Sequence, residues 1–221
     1  MTTTAVPAAG AYLPQGTVYG TLLNFRSEFD AWAPKMNEAP YKAPPNAPIL
    51  YVKPVNTWST SGAAIPVPAS APQVEVGATI AMVIGDKPNT VAGYVLMNDV
   101  SLPHASFFRP PVKFKCLDGF LGIGNEVVDA AKAGDPSAFT LDVRVNGEVR
   151  QSSRFSGLVR NAQQLLADVS SFMTLQPGDV LMLGCDITAD GARPLVKVGD
   201  RVEIRAPGFA PLVNTFVAEA A

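Results

Sequence analysis

Histidine, cysteine and clustered positive charge are scarce in this chain of 221 residues. It contains one histidine, His104, and two cysteines, Cys116 and Cys185. One histidine cannot build a histidine-rich metal site, and no serine or cysteine nucleophile motif accompanies it, so we predict a loop histidine rather than a catalyst. Two cysteines are too few for a disulfide framework, which favours a reducing, cytoplasmic setting.

Charge and hydropathy exclude two further classes of function. The formal net charge is -2 and the lysines and arginines are scattered, so the chain lacks the basic surface that nucleic-acid binding requires. Its apolar runs stay short of the roughly 18 residues of a membrane-spanning helix. Residues 1–16 have neither the cationic start nor the apolar stretch of a signal peptide. We therefore expect a cytoplasmic protein with a flexible arm over residues 1–15 and a single domain over residues 16–221.

Short β-like segments, separated by many of the 20 prolines and 18 glycines, make up most of the chain. This pattern is typical of a β-rich α+β fold with irregular connections and few helices. Asn146-Gly147, between two such segments, predicts a hairpin with a type I′ turn. The predicted strands are residues 17–23, 49–53, 79–84, 91–97, 139–145, 180–183, 202–205 and 213–217.

Two segments have helical periodicity. Apolar residues recur at helical spacing from Leu158 to Met173, with Ser156 as the predicted N-cap and Pro177 beyond the end. The apolar face of this helix is interpreted as core packing. A shorter helix is predicted from Phe25 to about residue 32, where aromatic side chains share one face.

The order of three motifs resembles that of the fumarylacetoacetate hydrolase superfamily. The motifs are a strand segment over residues 75–85 that ends in Val-Ile-Gly, an Asn-Asp step at Asn98 and Asp99, and a Lys-x-x-Asp-Gly segment that begins at Lys115. The resemblance implies a fumarylacetoacetate hydrolase-like fold, a mixed β-sandwich roll.

In that superfamily, a Glu-x-Glu pair on the first segment and the aspartate of the second hold a divalent cation. Positions i and i+2 of a strand face the same side, so such a pair can grip one ion. Here Gly77 and Thr79 stand at the two glutamate positions, while Asp99 is retained. The resemblance thus implies Mg²⁺ or another divalent cation with Asp99 as a ligand. A site complete within this chain would need Glu75 or Glu126 to replace the missing carboxylates.

From residue 16 onward, the chain is similar to the N-terminal half, or separate N-terminal subunit, of the bifunctional isomerase/decarboxylases of 4-hydroxyphenylacetate (homoprotocatechuate) degradation. That half also has Gly-Ala-Thr in place of Glu-x-Glu. The resemblance implies a subunit of a metal-dependent decarboxylase/isomerase acting on 5-oxopent-3-ene-1,2,5-tricarboxylate and 2-hydroxyhepta-2,4-diene-1,7-dioate. It also implies a homo-oligomer or a paralogous catalytic subunit that carries Glu-x-Glu. The matching segments are residues 23–27, 30–32, 41–45, 52–57, 98–103, 109–110, 115–120, 160–166 and 174–179.

The resemblance also gives candidate roles to three basic residues. Lys115 is the predicted catalytic residue, whose ammonium would bind a substrate carboxylate or donate a proton; the alternative is a surface lysine on a loop. Arg109 is predicted to bind a substrate carboxylate through two hydrogen bonds, or else to pair with Asp118. Lys53 is predicted to bind substrate in the same cleft, or else to be an exposed lysine at a strand end.

Two alternatives to the subunit hypothesis stay open. The chain could be a noncatalytic structural or regulatory paralogue that completes an assembly with a Glu-x-Glu-bearing partner. It could instead be a self-sufficient hydrolase or decarboxylase of another oxo acid. Cys185 stands where the family usually has the threonine of Gly-Thr-Pro, which helps to hold the substrate carboxylate. Its thiol is a poorer hydrogen-bond donor, so this departure argues against substrate binding independently of the missing glutamates.

Overall fold

The computed structural model describes residues 10–108 and 111–220. Most of the regular structure in this part of the chain is β-strand. In chain order the strands are β1 (Val18–Leu22), β2 (Ile49–Lys53), β3 (Trp58–Thr60), β4 (Ala64–Val67), β5 (Val74–Glu75), β6 (Ala78–Ile84), β7 (Val91–Asp99), β8 (Leu121–Ile123), β9 (Val128–Asp129), β10 (Thr140–Val145), β11 (Glu148–Arg154), β12 (Val180–Met182), β13 (Leu195–Val196), β14 (Arg201–Arg205) and β15 (Leu212–Ala218).

Helices are few and short. In the described part of the chain, they all fall short of the length and hydropathy that a membrane crossing requires. They are α1 (Arg26–Met36), α2 (Val112–Lys115), α3 (Ala130–Ala133) and α4 (Ala162–Ser170).

The strands form two principal sheets that mix parallel and antiparallel pairs. The larger sheet has the order β2-β1-β12-β6-β7-β8-β3, and β9 also pairs with β7. The second sheet has the order β11-β10-β14-β15-β4, and a small third sheet joins β13 to β5. Strand pairs β1–β12, β3–β8 and β4–β15 are parallel, and the other pairs are antiparallel. The prediction of a β-rich α+β fold with a mixed, rolled sheet is therefore confirmed.

The large sheet is covered on both faces, which explains why its central strands are apolar throughout. All seven residues of β6 are buried. Because side chains alternate along a strand, Ile80 and Met82 join one apolar cluster, with α4 and the second sheet, while Ala81 and Val83 join another that α1 helps to cover. Thr79 falls on the same face as Ala81, so the position expected for a metal-binding glutamate lies inside the protein.

Every strand predicted from the sequence is present, with ends that agree within two residues. The Asn146-Gly147 hairpin is also confirmed. Asn146 and Gly147 have φ values of 52° and 90°, the positive angles that a type I′ turn requires at both central positions. Several short strands were missed, among them β3, β5 and β13 with two or three residues each and β4 with four, which is too short for a periodic pattern to show.

The prediction for the longer helix was too long and placed its N-cap wrongly. The helix begins at Ala162, and the side chain of Asn161 caps it by accepting a hydrogen bond from the backbone N–H of Gln164 at 2.9 Å. Before it, Phe155–Gly157 form a short 3-10 helix, and Asn24 binds the residues that follow: its carbonyl accepts from the N–H of Val159, and its side-chain oxygen accepts from the N–H of Arg160. The shorter helix continues past its predicted end to Met36.

The predicted arm lies mostly outside the described residues, since residues 1–9 are not among them. Further along it, the backbone N–H of Tyr12 donates to the carbonyl of Asn125 at 2.8 Å, and Tyr12 and Leu13 pack against an apolar cluster. The division into an arm and one domain stays a prediction.

Candidate functional site

Asp99 is the last residue of β7, a central strand of the large sheet. Its side chain is fully buried. Its backbone N–H donates to the carbonyl of Gly77 at 2.8 Å, so the end of β7 is held against the residue that precedes β6. A carboxylate at this depth needs charged or hydrogen-bonding partners, because an unpaired buried charge is very unfavourable.

Two lysines supply those partners. Lys115, at the end of α2, places its Nζ 2.6 Å from Asp99 Oδ2, and Lys53, at the end of β2, places its Nζ 2.9 Å from Asp99 Oδ1. All three side chains have an exposed fraction of 0%. The alternative interpretations of Lys53 as an exposed lysine and of Lys115 as a surface lysine are therefore wrong.

The Lys53 ammonium is fully engaged by backbone oxygens as well. It donates to the carbonyls of Val100 at 3.2 Å, Phe120 at 2.6 Å and Lys115. An ammonium has three hydrogens to donate, so its contact with Asp99 adds charge attraction to a filled set of hydrogen bonds. Lys53 thus ties β2 to three points on the chain that follows β7.

Tyr51 completes the surroundings of Asp99. It precedes Lys53 by two residues on β2, so both side chains face the same side of the sheet. The Tyr51 hydroxyl donates to Asp99 Oδ2. The Lys115 ammonium lies 5.0 Å from the centre of the Tyr51 ring, within range of a cation–π contact. Tyr51 was missed by sequence reasoning, although its i, i+2 spacing from Lys53 on a predicted strand was the available signal.

These contacts shift the ionisation of the cluster in opposite directions. Burial by itself would raise the pKa of Asp99, but Lys115 and then Lys53 outweigh it and hold that pKa well below its ordinary range. Burial lowers the pKa of Lys53, a shift that Asp99 partly offsets. Burial, reinforced by the Asp99 charge, raises the pKa of Tyr51 well above its ordinary value. At neutral pH the cluster therefore contains an ionised Asp99 and a neutral Tyr51.

The two positions expected to carry glutamates are closely packed. A Cβ atom added to Gly77 would lie 2.3 Å from the carbonyl oxygen of Asp99 and 3.2 Å from the sulfur of Cys185. Thr79 is buried, and its hydroxyl donates to the carbonyl of Gly184 at 2.5 Å. A larger side chain at position 77 would require the backbone to move.

A second buried ion pair lies nearby, and it was not predicted from the sequence. Arg193 places Nη2 2.5 Å from Glu28 Oε1 and Nη1 3.8 Å from Glu75 Oε2. Burial acts to lower the pKa of Arg193, but Glu28 and the neighbouring groups raise it overall, so the guanidinium stays charged. Burial raises the pKa of Glu75. Pairing of β5 with β13 brings Glu75 and Arg193 together, and no local motif at Arg193 signals this contact.

The other candidate residues have simpler positions. His104 lies in a loop, as predicted, with Nδ1 3.0 Å from the carbonyl of Leu102 and its ring stacked on Phe114. The Cys185 thiol donates to the carbonyl of Gly77 at 3.3 Å, and burial raises its pKa to about 12. Arg109, predicted to bind substrate, lies outside the described residues.

The family of the chain follows from its sequence. The family model "Fumarylacetoacetate (FAA) hydrolase C-terminal" matches residues 17–217. The chain belongs to the fumarylacetoacetate hydrolase family. Among its relatives, the 4-hydroxyphenylacetate degradation bifunctional isomerase/decarboxylase of Escherichia coli is 40% identical over 214 residues, which cover 93% of this chain and 48% of that protein. This fumarylacetoacetate hydrolase family member thus spans about half the length of the curated relatives it matches.

Solved structures of the family share the fold. A 5-carboxymethyl-2-hydroxymuconate delta-isomerase from Mycobacterium smegmatis superposes with a TM-score of 0.75 at 28% identity, covering 95% of this chain and 79% of that one. Fumarylpyruvate hydrolase from Pseudomonas aeruginosa, solved in complex with Mn²⁺ and pyruvate, superposes with a TM-score of 0.73, covering 98% of this chain and 99% of that one. At 20% identity, the second likeness shows the fold alone.

The arrangement around Asp99 does not fit a divalent cation of the kind this family implies. Both oxygens of its carboxylate contact an ammonium group. Over residues 10–108 and 111–220, no group of three or more histidine, cysteine, aspartate or glutamate side chains could hold a metal ion, so neither Glu75 nor Glu126 completes a site with Asp99. Two unit charges about 4 Å apart interact by about 4 kcal/mol at an effective dielectric constant of about 20, so each ammonium would repel a dication there by about twice that amount.

Proposed function

We propose that this chain is a subunit of a metal-dependent decarboxylase/isomerase of homoprotocatechuate catabolism, working in the cytoplasm with a partner chain that carries Glu-x-Glu and the divalent cation. The substrates would be 5-oxopent-3-ene-1,2,5-tricarboxylate and 2-hydroxyhepta-2,4-diene-1,7-dioate. The single observation that carries the proposal is that nearly the whole chain matches a bifunctional isomerase/decarboxylase at 40% identity, yet covers 48% of it.

The surroundings of Asp99 support the assignment of the metal chemistry to a partner chain. The Asp99 carboxylate lies beside the ammonium groups of Lys53 and Lys115, one at each oxygen, and these positive charges disfavour a divalent cation at Asp99. The other half of the bifunctional relative is about as long as this chain, so it has room for a second domain of the same size. We place the metal chemistry on that second domain.

The predicted site residues are assigned accordingly. Lys115, the predicted catalytic residue, could reach a substrate only after leaving Asp99, and Lys53 only after leaving three carbonyl oxygens. We therefore assign both lysines to holding this region of the subunit in shape. Arg109 is retained as a candidate for binding a substrate carboxylate, by bidentate hydrogen bonds that suit a guanidinium.

A noncatalytic paralogue is the second candidate function. The observation that favours it is the burial of every side chain that contacts Asp99, because a catalytic group must be reachable by its substrate. In this case the partner alone would carry out the full reaction, and the present chain would stabilise or regulate the assembly.

The experiment that tests the proposal compares three samples in the presence of Mg²⁺: this chain, a Glu-x-Glu family chain from the same source, and both together. Decarboxylation of 5-oxopent-3-ene-1,2,5-tricarboxylate is followed by ultraviolet absorbance. The subunit proposal requires that turnover appears, or rises at least about tenfold, only when both chains are present. Equal turnover by the partner alone would favour the noncatalytic paralogue. Turnover by this chain alone would overturn the subunit proposal and the noncatalytic alternative. If the Glu75→Ala variant then lost that turnover, the chain would be a self-sufficient enzyme.

A matched variant separates a catalytic contribution of Arg109 from a structural one. Arg109→Lys keeps the positive charge but loses the bidentate geometry. If Arg109 binds substrate, this variant raises KM for the joint activity while kcat and assembly with the partner change little. An unchanged KM would remove Arg109 from the substrate site.

A further inference from the structure

The cluster around Asp99 contains two positive charges at the place where relatives of this fold would bind a divalent cation. We propose that the ammonium groups of Lys53 and Lys115, packed against Asp99 in a closed interior, leave no place for that cation in this chain. They neutralise Asp99 and fasten the chain after β7 to β2, so that this protein folds without a metal ion. The inference deepens the proposed function by explaining how the subunit lacks a cation, but it does not depend on the partner or the substrate.

The first support is the way in which the charges are shared. One ammonium contacts each oxygen of Asp99, at 2.9 Å for Lys53 and 2.6 Å for Lys115. A metal ion bound to a carboxylate contacts the same oxygens. The Tyr51 hydroxyl donates to Oδ2 as well, whereas Oδ1 accepts no hydrogen bond and is compensated by the nearby charge of Lys53.

The second support is what the lysines connect. Lys53 lies on the edge strand of the large sheet, and its ammonium donates to carbonyls at Val100, Lys115 and Phe120. These carbonyls lie at the start, in the middle and at the end of the connection between β7 and β8. A structural metal ion organises a loop by binding several oxygens of it at once, and the Lys53 ammonium does so here through three hydrogen bonds.

The third support is the packing at the lost glutamate positions. Gly77 has no room for a side chain against Asp99 and Cys185, and the Thr79 hydroxyl is satisfied by Gly184. The space is thus closed by a small set of tightly packed groups. Restoring a metal site would require carboxylates to be added at these two closely packed positions.

The direct test measures binding of Mn²⁺ to the purified wild-type chain by electron paramagnetic resonance, since bound Mn²⁺ loses the signal of the free ion. The chain is first treated with EDTA and dialysed. We expect no saturable binding at Mn²⁺ concentrations up to about 1 mM, and the same melting temperature in EDTA, Mg²⁺ and Mn²⁺. Binding of one Mn²⁺ per chain that is abolished by Asp99→Asn would overturn the proposal. Mn²⁺ binding and the melting temperature are both measured without an activity assay. Their outcome is therefore independent of the test of the subunit proposal.

A second test asks whether the ammonium groups carry the structural role. Lys115→Met removes one of them while keeping an unbranched side chain up to the Cε position, and Lys113→Met, at an exposed position of the same helix, is the matched control. We expect Lys115→Met to lower the melting temperature by about 10 °C, on the scale of a broken buried ion pair in a domain of this size, with no recovery in Mn²⁺. Equal melting temperatures for the two variants would contradict the proposal. If Lys115→Met does not fold, Tyr51→Phe provides the milder change, and it should lower the melting temperature by a few degrees.

Discussion

A Cβ atom added to Gly77 would lie 2.3 Å from the backbone carbonyl oxygen of Asp99. The residue that would bear the first metal-binding glutamate is thus pressed against the residue that would supply the third carboxylate. The backbone at position 77 therefore lies too close to the end of β7 for a glutamate side chain. The absence of the Glu-x-Glu pair thus reflects backbone packing as well as the identity of two side chains.

Gly77→Ala should destabilise the fold by about 2 kcal/mol, because a contact with a backbone oxygen in a closely packed interior can be relieved only by moving the strand. Chemical unfolding in urea at pH 7 measures the difference. Gly157→Ala is the matched control, since a Cβ there would meet nothing within 4 Å. Similar midpoints for both variants would show that β6 and β7 separate easily.

Asp99→Asn should lower the free energy of unfolding by about 3–5 kcal/mol, because it leaves two buried ammonium groups without their counter-charge. Asp86→Asn, at an exposed turn residue, should change it by less than about 0.5 kcal/mol. Urea unfolding followed by circular dichroism gives both values. A loss below about 1 kcal/mol for Asp99→Asn would mean that the cluster relaxes or admits water.

The contribution of Asp99 should disappear at low pH. Its pKa is lowered in the folded protein, so the unfolded chain takes up the proton first as the pH falls. The stability difference between wild type and Asp99→Asn should be constant from pH 8 to about pH 5 and should shrink below about pH 4, the ordinary pKa of aspartate. Urea titrations at several pH values check this. A difference that shrinks instead between pH 7 and 5 would contradict a lowered pKa.

The two cysteines should differ in reactivity. Cys185 is buried and burial raises its pKa to about 12, whereas Cys116 is partly exposed. The thiolate is the reactive form, so iodoacetamide at pH 8 should modify Cys116 slowly and leave Cys185 unmodified until the protein is unfolded. Mass spectrometry of the peptides distinguishes them, with Cys116→Ser as the control. Modification of Cys185 in the folded protein would show that the interior near Gly77 opens.

Local patterns in the sequence were sufficient for most of the large elements. The short apolar runs that mark β6 and β7, and the Asn-Gly turn after β10, depend on neighbouring residues only. The helix α4 shows where this approach fails. The segment before its start is held by Asn24, which accepts hydrogen bonds from the N–H groups of Val159 and Arg160. Asn24 and Arg160 are 136 residues apart in the chain, so no local pattern contains that contact.

The candidate site divides in the same way. The order of its motifs indicated the family and brought Asp99, Lys53 and Lys115 together as candidates. The roles of these residues depend on which atoms meet, and that was decided by the three-dimensional packing. Glu28 and Arg193 show the same limit, since their ion pair joins residues 165 positions apart.

The sequence by itself determined the family, the β-rich fold and the absence of the Glu-x-Glu pair, because each of these depends on residue identity and short-range spacing. Only the tertiary structure decided that Asp99 is neutralised by Lys53 and Lys115 and that Gly77 has no room for a larger side chain. The physical reason is that charge pairing and close packing depend on distances in space, and strands far apart in the chain become neighbours only when the sheet forms.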